Sequence, residues 1–100
     1  DMIISRGFNV YPGQIEEVLM RHPGVKDAAV IGVADRMKGQ AIVAVVALKE
    51  GEPPDREALF AYCREHLPDY RVPKSILIRD SIPRDPSGKL LRRVLRENAS

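Results

Sequence analysis

One hundred residues, 44% of them apolar, fit one small domain with a modest core. Sixteen basic against fourteen acidic residues leave a net charge of +2, which gives no global nucleic-acid signature. Cys63 is the only cysteine, so an intrachain disulfide and a zinc site built on cysteine are excluded. No stretch reads as a signal peptide or is long enough to cross a membrane, and a reducing, cytoplasmic setting is expected.

In chain order, Met2-Ile3-Ile4 predicts a short strand and Ser5-Arg6-Gly7-Phe8-Asn9 a turn, with Gly7 and Asn9 as the residues tolerant of positive φ. Val10-Tyr11 returns as a second short strand, giving a small hairpin. Pro12 suits the first position of a helix. Ile15, Val18, Leu19 and His22 recur on its inner face, with Glu16 and Glu17 facing out, and His22-Pro23-Gly24 ends it. Val25 to Val33 is rich in β-branched residues and reads as a strand, followed by a polar turn from Asp35 to Gly39. Ala41 to Leu48 is apolar on both faces, which predicts a central strand covered on both sides and paired with its predecessor as an antiparallel hairpin.

Lys49 to Asp55 is a surface loop, and Asp55 can cap a helix running to about Leu67, with Leu59, Cys63 and Leu67 inside. Pro68 to Pro73 connects to a strand over Ser75 to Arg79. Pro83-Arg84-Asp85-Pro86-Ser87-Gly88-Lys89 is a loop by its prolines and Ser-Gly pair. The last helix sets Leu91, Val94 and Leu95 on one face and arginines on the other. The fold class is α+β: a small, mostly antiparallel or mixed sheet with an N-terminal hairpin and three helices packed on it. The start at Asp1, directly before an apolar run, is read as a fragment of a larger protein.

Lys89 stands where a flexible loop meets a firm base, so its ammonium can swing towards an anionic group while its backbone stays anchored. Gly88 lets that backbone approach another surface closely. Taken alone, Ser87-Gly88-Lys89 favours a solvated lysine on a basic tail, since short motifs have many false positives. It lacks the upstream glycine of a P-loop. His22 and His66 sit apart on separate helices, Glu16 and Glu17 are explained by a solvated face, and Cys63 by an inert buried thiol. The arginines Arg92, Arg93 and Arg96 have no interleaved aromatic residues and read as a charged helix face. No complete active site emerges from the residues alone.

With these loops in view, the chain resembles the C-terminal domain of the adenylate-forming enzymes: acyl-CoA synthetases, their firefly-luciferase relatives and the adenylation domains of peptide synthetases. The resemblance covers nearly all of residues 1–100. It rests on Asp1 to Pro12, Ile15-Glu16-Glu17-Val18-Leu19, His22-Pro23-Gly24-Val25, Ala28-Ala29-Val30-Ile31-Gly32, Gly39-Gln40, Tyr70-Arg71-Val72-Pro73 and Pro83-Arg84 through Ser87-Gly88-Lys89. The Asn9-Val10-Tyr11-Pro12 form is closer to acyl-CoA ligases than to peptide-synthetase domains.

The resemblance implies a mobile lid domain of an ATP-dependent acid–CoA ligase acting on a fatty or related carboxylic acid. Its partner is its own large N-terminal domain, which lies outside this chain, holds most of the ATP and magnesium site, and joins at a hinge just before Asp1. Lys89 matches the adenylation lysine. Ser5, Arg6, Gly7 and Phe8 match the loop that helps form the pantetheine tunnel, although Arg6 stands where many relatives carry a second glycine. Lys38, Arg71 and Lys74 are candidates for the nucleotide phosphates of CoA, and no metal ligand falls within the chain. Gln40 replaces the commoner glutamate. The alternatives are a ligase that loads a carrier protein and a non-catalytic interaction module docking through the basic last helix. The fragment alone is expected to have no synthetase activity.

Overall fold

The computed structural model describes residues 2–37 and 39–99. Five strands, β1 (Ile3–Ser5), β2 (Phe8–Val10), β3 (Val25–Asp35), β4 (Gly39–Leu48) and β5 (Ser75–Arg79), form one mixed sheet. Its helices are α1 (Pro12–Met20), α2 (Arg56–His66) and α3 (Arg92–Ala99), with a single 3-10 turn at Asp69–Arg71 in the connector before β5. The expected fold class and its three helices are present.

β4 organises the sheet. It pairs antiparallel with β3 along nearly its whole length and parallel with β5 from Val43 to Ala47 on its other edge. On that same edge, its first residue Gly39 pairs with Ser5 of β1. Its side chains alternate as the pleat requires. Ile42, Ala44 and Val46 enter the larger core with Ile15 and Leu19 of α1 and Leu59 and Cys63 of α2. Val43, Val45 and Ala47 enter a second cluster beneath Leu95 of α3 and Ile82. The doubly apolar run therefore is a central strand covered on both faces, as its composition requires.

Asp55 caps α2 by accepting from the Ala58 N–H at 3.1 Å, and Leu59, Cys63 and Leu67 are buried. Pro12 opens α1 as expected, but α1 ends at Met20, ahead of His22.

Three local expectations are corrected. Positive φ falls on Arg6 (53°) and Gly7 (80°) rather than on Asn9, and β2 begins at Phe8. Two successive left-handed residues make the mirror-image turn that matches strand twist in a two-residue hairpin, which is why the second of them is glycine. Glu16 does not face solvent. Its carboxylate accepts from the Val30 N–H at 2.8 Å and from Arg92 Nη1 at 2.9 Å. Arg92 in turn leaves the solvated arginine face, because its guanidinium is drawn onto Glu16 and the Val30 carbonyl.

Candidate functional site

The Lys89 loop is braced rather than flexible. Pro83 to Leu91 fold into a tight hairpin closed by Arg84 and Leu90. Asp85 N–H donates to the Lys89 carbonyl at 2.9 Å, and Gly88 N–H donates to the Asp85 carbonyl at 2.8 Å. The Asp85 carboxylate fills the turn. It accepts from Ser87 Oγ at 2.6 Å and from the N–H groups of Ser87 and Lys89 at 2.9 Å each. The hydrogen bond from Ser87 Oγ, joined by that from the Lys89 N–H, lowers the Asp85 pKa below the usual carboxylate range.

Gly88 adopts φ +91°, the conformation that favours glycine, and a Cβ there would meet nothing within 4 Å. Within this chain the position requires its backbone conformation, not a close approach. Lys89 itself is exposed at the end of the hairpin.

Arg84 joins this hairpin to the sheet. Its Nε and Nη2 donate to the two carboxylate oxygens of Asp27 at 2.9 and 2.7 Å, and its Nη1 donates to the Gly88 carbonyl at 3.0 Å. The fork geometry is the strong, directional form of an arginine–carboxylate pair. Asp27 is near the start of β3.

The second loop lies at the far end of the same strand pair. Ser5 is buried and pairs with Gly39, which pairs with Asp35 at the end of β3. Gln40 Oε1 accepts from the Ile4 N–H at 2.9 Å and so ties β1 to β4. Beside this junction an open groove of about 430 Å³ is lined by Ser5, Arg6, Arg64, Tyr70 and Lys74, among others.

Phe8 stacks on Tyr70 with ring centroids 4.6 Å apart, and Arg71 lies over the same Tyr70 ring, its guanidinium carbon 5.2 Å from the ring centre. Arg71 Nε is buried with no hydrogen-bond partner among the described residues. Lys74 Nζ pairs with Asp35 at 2.9 Å. Lys38 lies outside the described residues.

The structure thus gathers Ser5, Arg6, Phe8, Arg71 and Lys74 at one end of the sheet and leaves Lys89 at the other. Asp27 and Asp35 mark the two ends. At about 3.3 Å per strand residue they are roughly 26 Å apart. Among the described residues no cluster of His, Cys, Asp or Glu could hold a metal ion, and no helix is long and apolar enough to cross a membrane.

Sequence reasoning missed Asp27, Arg64 and the turn-filling role of Asp85. For Asp85 a local signal existed: Asp followed two residues later by Ser and then Gly is the pattern of an Asx turn. For Asp27, 57 positions from Arg84, there was none.

Residues 14–89 match the AMP-binding enzyme C-terminal domain family. Among curated relatives, a 2-succinylbenzoate–CoA ligase from Geobacillus kaustophilus is 50% identical over 96% of this chain. Among solved structures, a fatty acyl CoA synthetase from Mycobacterium tuberculosis superposes with a TM-score of 0.90 at 43% identity over 98% of the chain. The amide bond synthetase McbA from Marinactinospora thermotolerans gives 0.90 at 42% identity over 97%. The chain spans only about a fifth of each, 20%, 19% and 20% of their lengths.

Proposed function

Because the chain belongs to the AMP-binding enzyme C-terminal domain family, we propose that it is the mobile lid of an ATP-dependent acyl-CoA synthetase acting on a fatty or related carboxylic acid. Its partner is the larger N-terminal domain, whose counterpart makes up the remainder of the relatives. That domain supplies most of the ATP site, the acyl pocket and the ligands for magnesium. The proposed setting is cytoplasmic.

In the first half-reaction a carboxylate oxygen attacks the α-phosphorus of ATP, and pyrophosphate leaves. The Lys89 ammonium, brought to the reacting groups by the braced hairpin, offsets the negative charge that gathers between them. One such preorganised contact is worth roughly 3–4 kcal/mol. In the second half-reaction the CoA thiol attacks the acyl carbon. The thioester forms, AMP departs and the thiol proton is released. Ser5, Arg6, Gly7 and Phe8 then line the pantetheine path, with Lys38, Arg71 and Lys74 near the nucleotide phosphates.

The observation that carries this reading is the placement of the two loops at opposite ends of the β3–β4 pair. Two loops at opposite ends of a rigid strand pair, which runs roughly 26 Å from Asp27 to Asp35, cannot both face one reaction centre at once. Rigid-body rotation of the whole domain between half-reactions lets each enter in turn.

The test is ATP–pyrophosphate exchange by the full-length protein and its Lys89→Ala variant across a panel of carboxylic acids. Exchange should depend on one acid class and fall roughly 100- to 1,000-fold in the variant. Thioester formation from supplied acyl-adenylate should survive. Indifference to Lys89→Ala would favour the non-catalytic module. Exchange without CoA thioester would favour a carrier-protein acceptor, or an amide-forming reaction of the kind named for the amide bond synthetase McbA.

A further inference from the structure

We infer that Asp27 is a positioning residue for Lys89, fixing through Arg84 the hairpin that presents the lysine and thereby serving adenylation but not acyl transfer. The inference rests on the function proposed above. Lys89 is exposed, and its side chain is long and flexible. Its ammonium can be no better placed than the backbone that carries it. That backbone is held from within by Asp85, but Asp85 belongs to the same hairpin and moves with it.

The polar link from the hairpin to the sheet is Arg84, beside the apolar packing of Leu90. Two of its guanidinium nitrogens bind Asp27 at 2.7 and 2.9 Å, and the third binds the carbonyl of Gly88, the residue directly before Lys89, at 3.0 Å. Three side-chain contacts therefore connect β3 to the peptide that leads into the lysine. Asp27 is itself held in place, since one of its oxygens also accepts from the Ala28 N–H at 2.9 Å. β3 is paired with β4 from Asp27 to Asp35, so the anchor stands on a rigid part of the fold. A misplacement of about 1 Å at a reacting group can cost roughly a hundredfold in rate. The loop that serves the second half-reaction lies at the far end of β3, where the Asp27–Arg84 pair has no contact with it.

The experiment uses the full-length enzyme with Asp27→Asn, which keeps the side chain's shape but replaces one acceptor oxygen by a donor. Asp27→Glu and Arg84→Lys are measured beside it, with Lys89→Ala as the reference. Asp27→Asn and Arg84→Lys should lower kcat for pyrophosphate exchange roughly 10- to 100-fold. The KM for ATP should stay within about threefold, because binding is untouched while transition-state stabilisation is lost. Thioester formation from supplied acyl-adenylate should match the wild type, and Asp27→Glu should recover part of the loss. Equal loss in both half-reactions would show general destabilisation and overturn the inference. So would wild-type exchange in Asp27→Asn while Lys89→Ala is crippled, and that result would leave the function reading intact. An active Lys89→Ala would overturn both.

Discussion

Glu16 of α1 and Arg92 of α3, 76 positions apart, meet in a 2.9 Å ion pair on the free edge of β3. Between them they satisfy both outward backbone groups of Val30: Glu16 accepts from its N–H, and Arg92 donates to its carbonyl. An edge strand with unpaired groups is a template for unwanted pairing, and this clamp covers the middle of that edge at Val30.

Truncating Glu16 should therefore cost far more than truncating its neighbour. Glu16→Ala strands the Val30 N–H and removes the counter-charge of a mostly buried guanidinium, a loss of about 2–4 kcal/mol. Glu17 pairs with Arg21, but both side chains are about two-thirds exposed, at 67% and 65%. Glu17→Ala should cost no more than about 0.5 kcal/mol. Urea unfolding of the chain and the two variants measures the difference, and equal midpoints would refute the clamp.

Acid should weaken the anchor of the Lys89 hairpin. The hydrogen bonds from Arg84 hold the Asp27 carboxyl below its ordinary value of 3.8, against an opposing effect of partial burial. A carboxyl whose pKa is lowered on folding stabilises fully above its unfolded value, and that stability is lost as pH falls through the folded value. The stability difference between wild type and Asp27→Asn should be constant near neutrality and shrink as pH drops below about 4. A difference independent of pH down to 2.5 would show that the pair's charge contributes nothing.

Cys63 should behave as a core residue with a silent thiol. It is fully buried on the inner face of α2, and burial raises its pKa from 9.0 to about 11, only partly offset by the nearby Arg64 charge. Disulfide-exchange labelling at pH 8 should be slow in the folded chain and fast in urea. The sign of the alkaline effect follows from the same shift. The thiol's contribution to stability is complete below the unfolded value of 9.0 and is lost as pH rises towards about 11. Removing the thiol with Cys63→Ala should reduce the alkaline loss of stability. Rapid labelling of the native chain would contradict this placement.

The parts of the fold legible in the sequence were those written in local patterns. The doubly apolar run of β4 specified a covered central strand, Asp55 a helix cap and Pro12 a helix start, because each depends on neighbours within a turn or a pleat. Glu16 was misread because its helical position looks solvated until α3 returns across β3, and nothing near Glu16 encodes that return. Asp27 was illegible for the same reason. The hairpin turn was misplaced by a residue or two because Arg6, a poor candidate for positive φ, adopts it at 53° while Asn9 does not. The two special loops were visible as motifs, but their separation at opposite ends of one strand pair is a property of register, which only the folded sheet supplies.

On the function proposed above, that separation should make the two half-reactions independently breakable in the full-length enzyme. Lys89→Ala removes a charge at the Asp27 end, and Gly7→Ala adds a methyl group at the Asp35 end. Within this chain a Cβ on Gly7 meets nothing within 4 Å, so the methyl group can obstruct only what enters beside the loop. The left-handed backbone there, with φ of 80°, adds a local strain of about 1–2 kcal/mol, which a stability measurement on the variant registers separately. Gly7→Ala should slow thioester formation from supplied adenylate and leave pyrophosphate exchange intact, the mirror image of Lys89→Ala. Sites more than about 10 Å apart with no shared partner are expected to act additively. In the double variant each half-reaction should show the deficit of its own single variant and nothing more. If Gly7→Ala instead depressed exchange as strongly as acyl transfer, the loop would be acting in the adenylation geometry too, and one domain orientation would have to serve both steps.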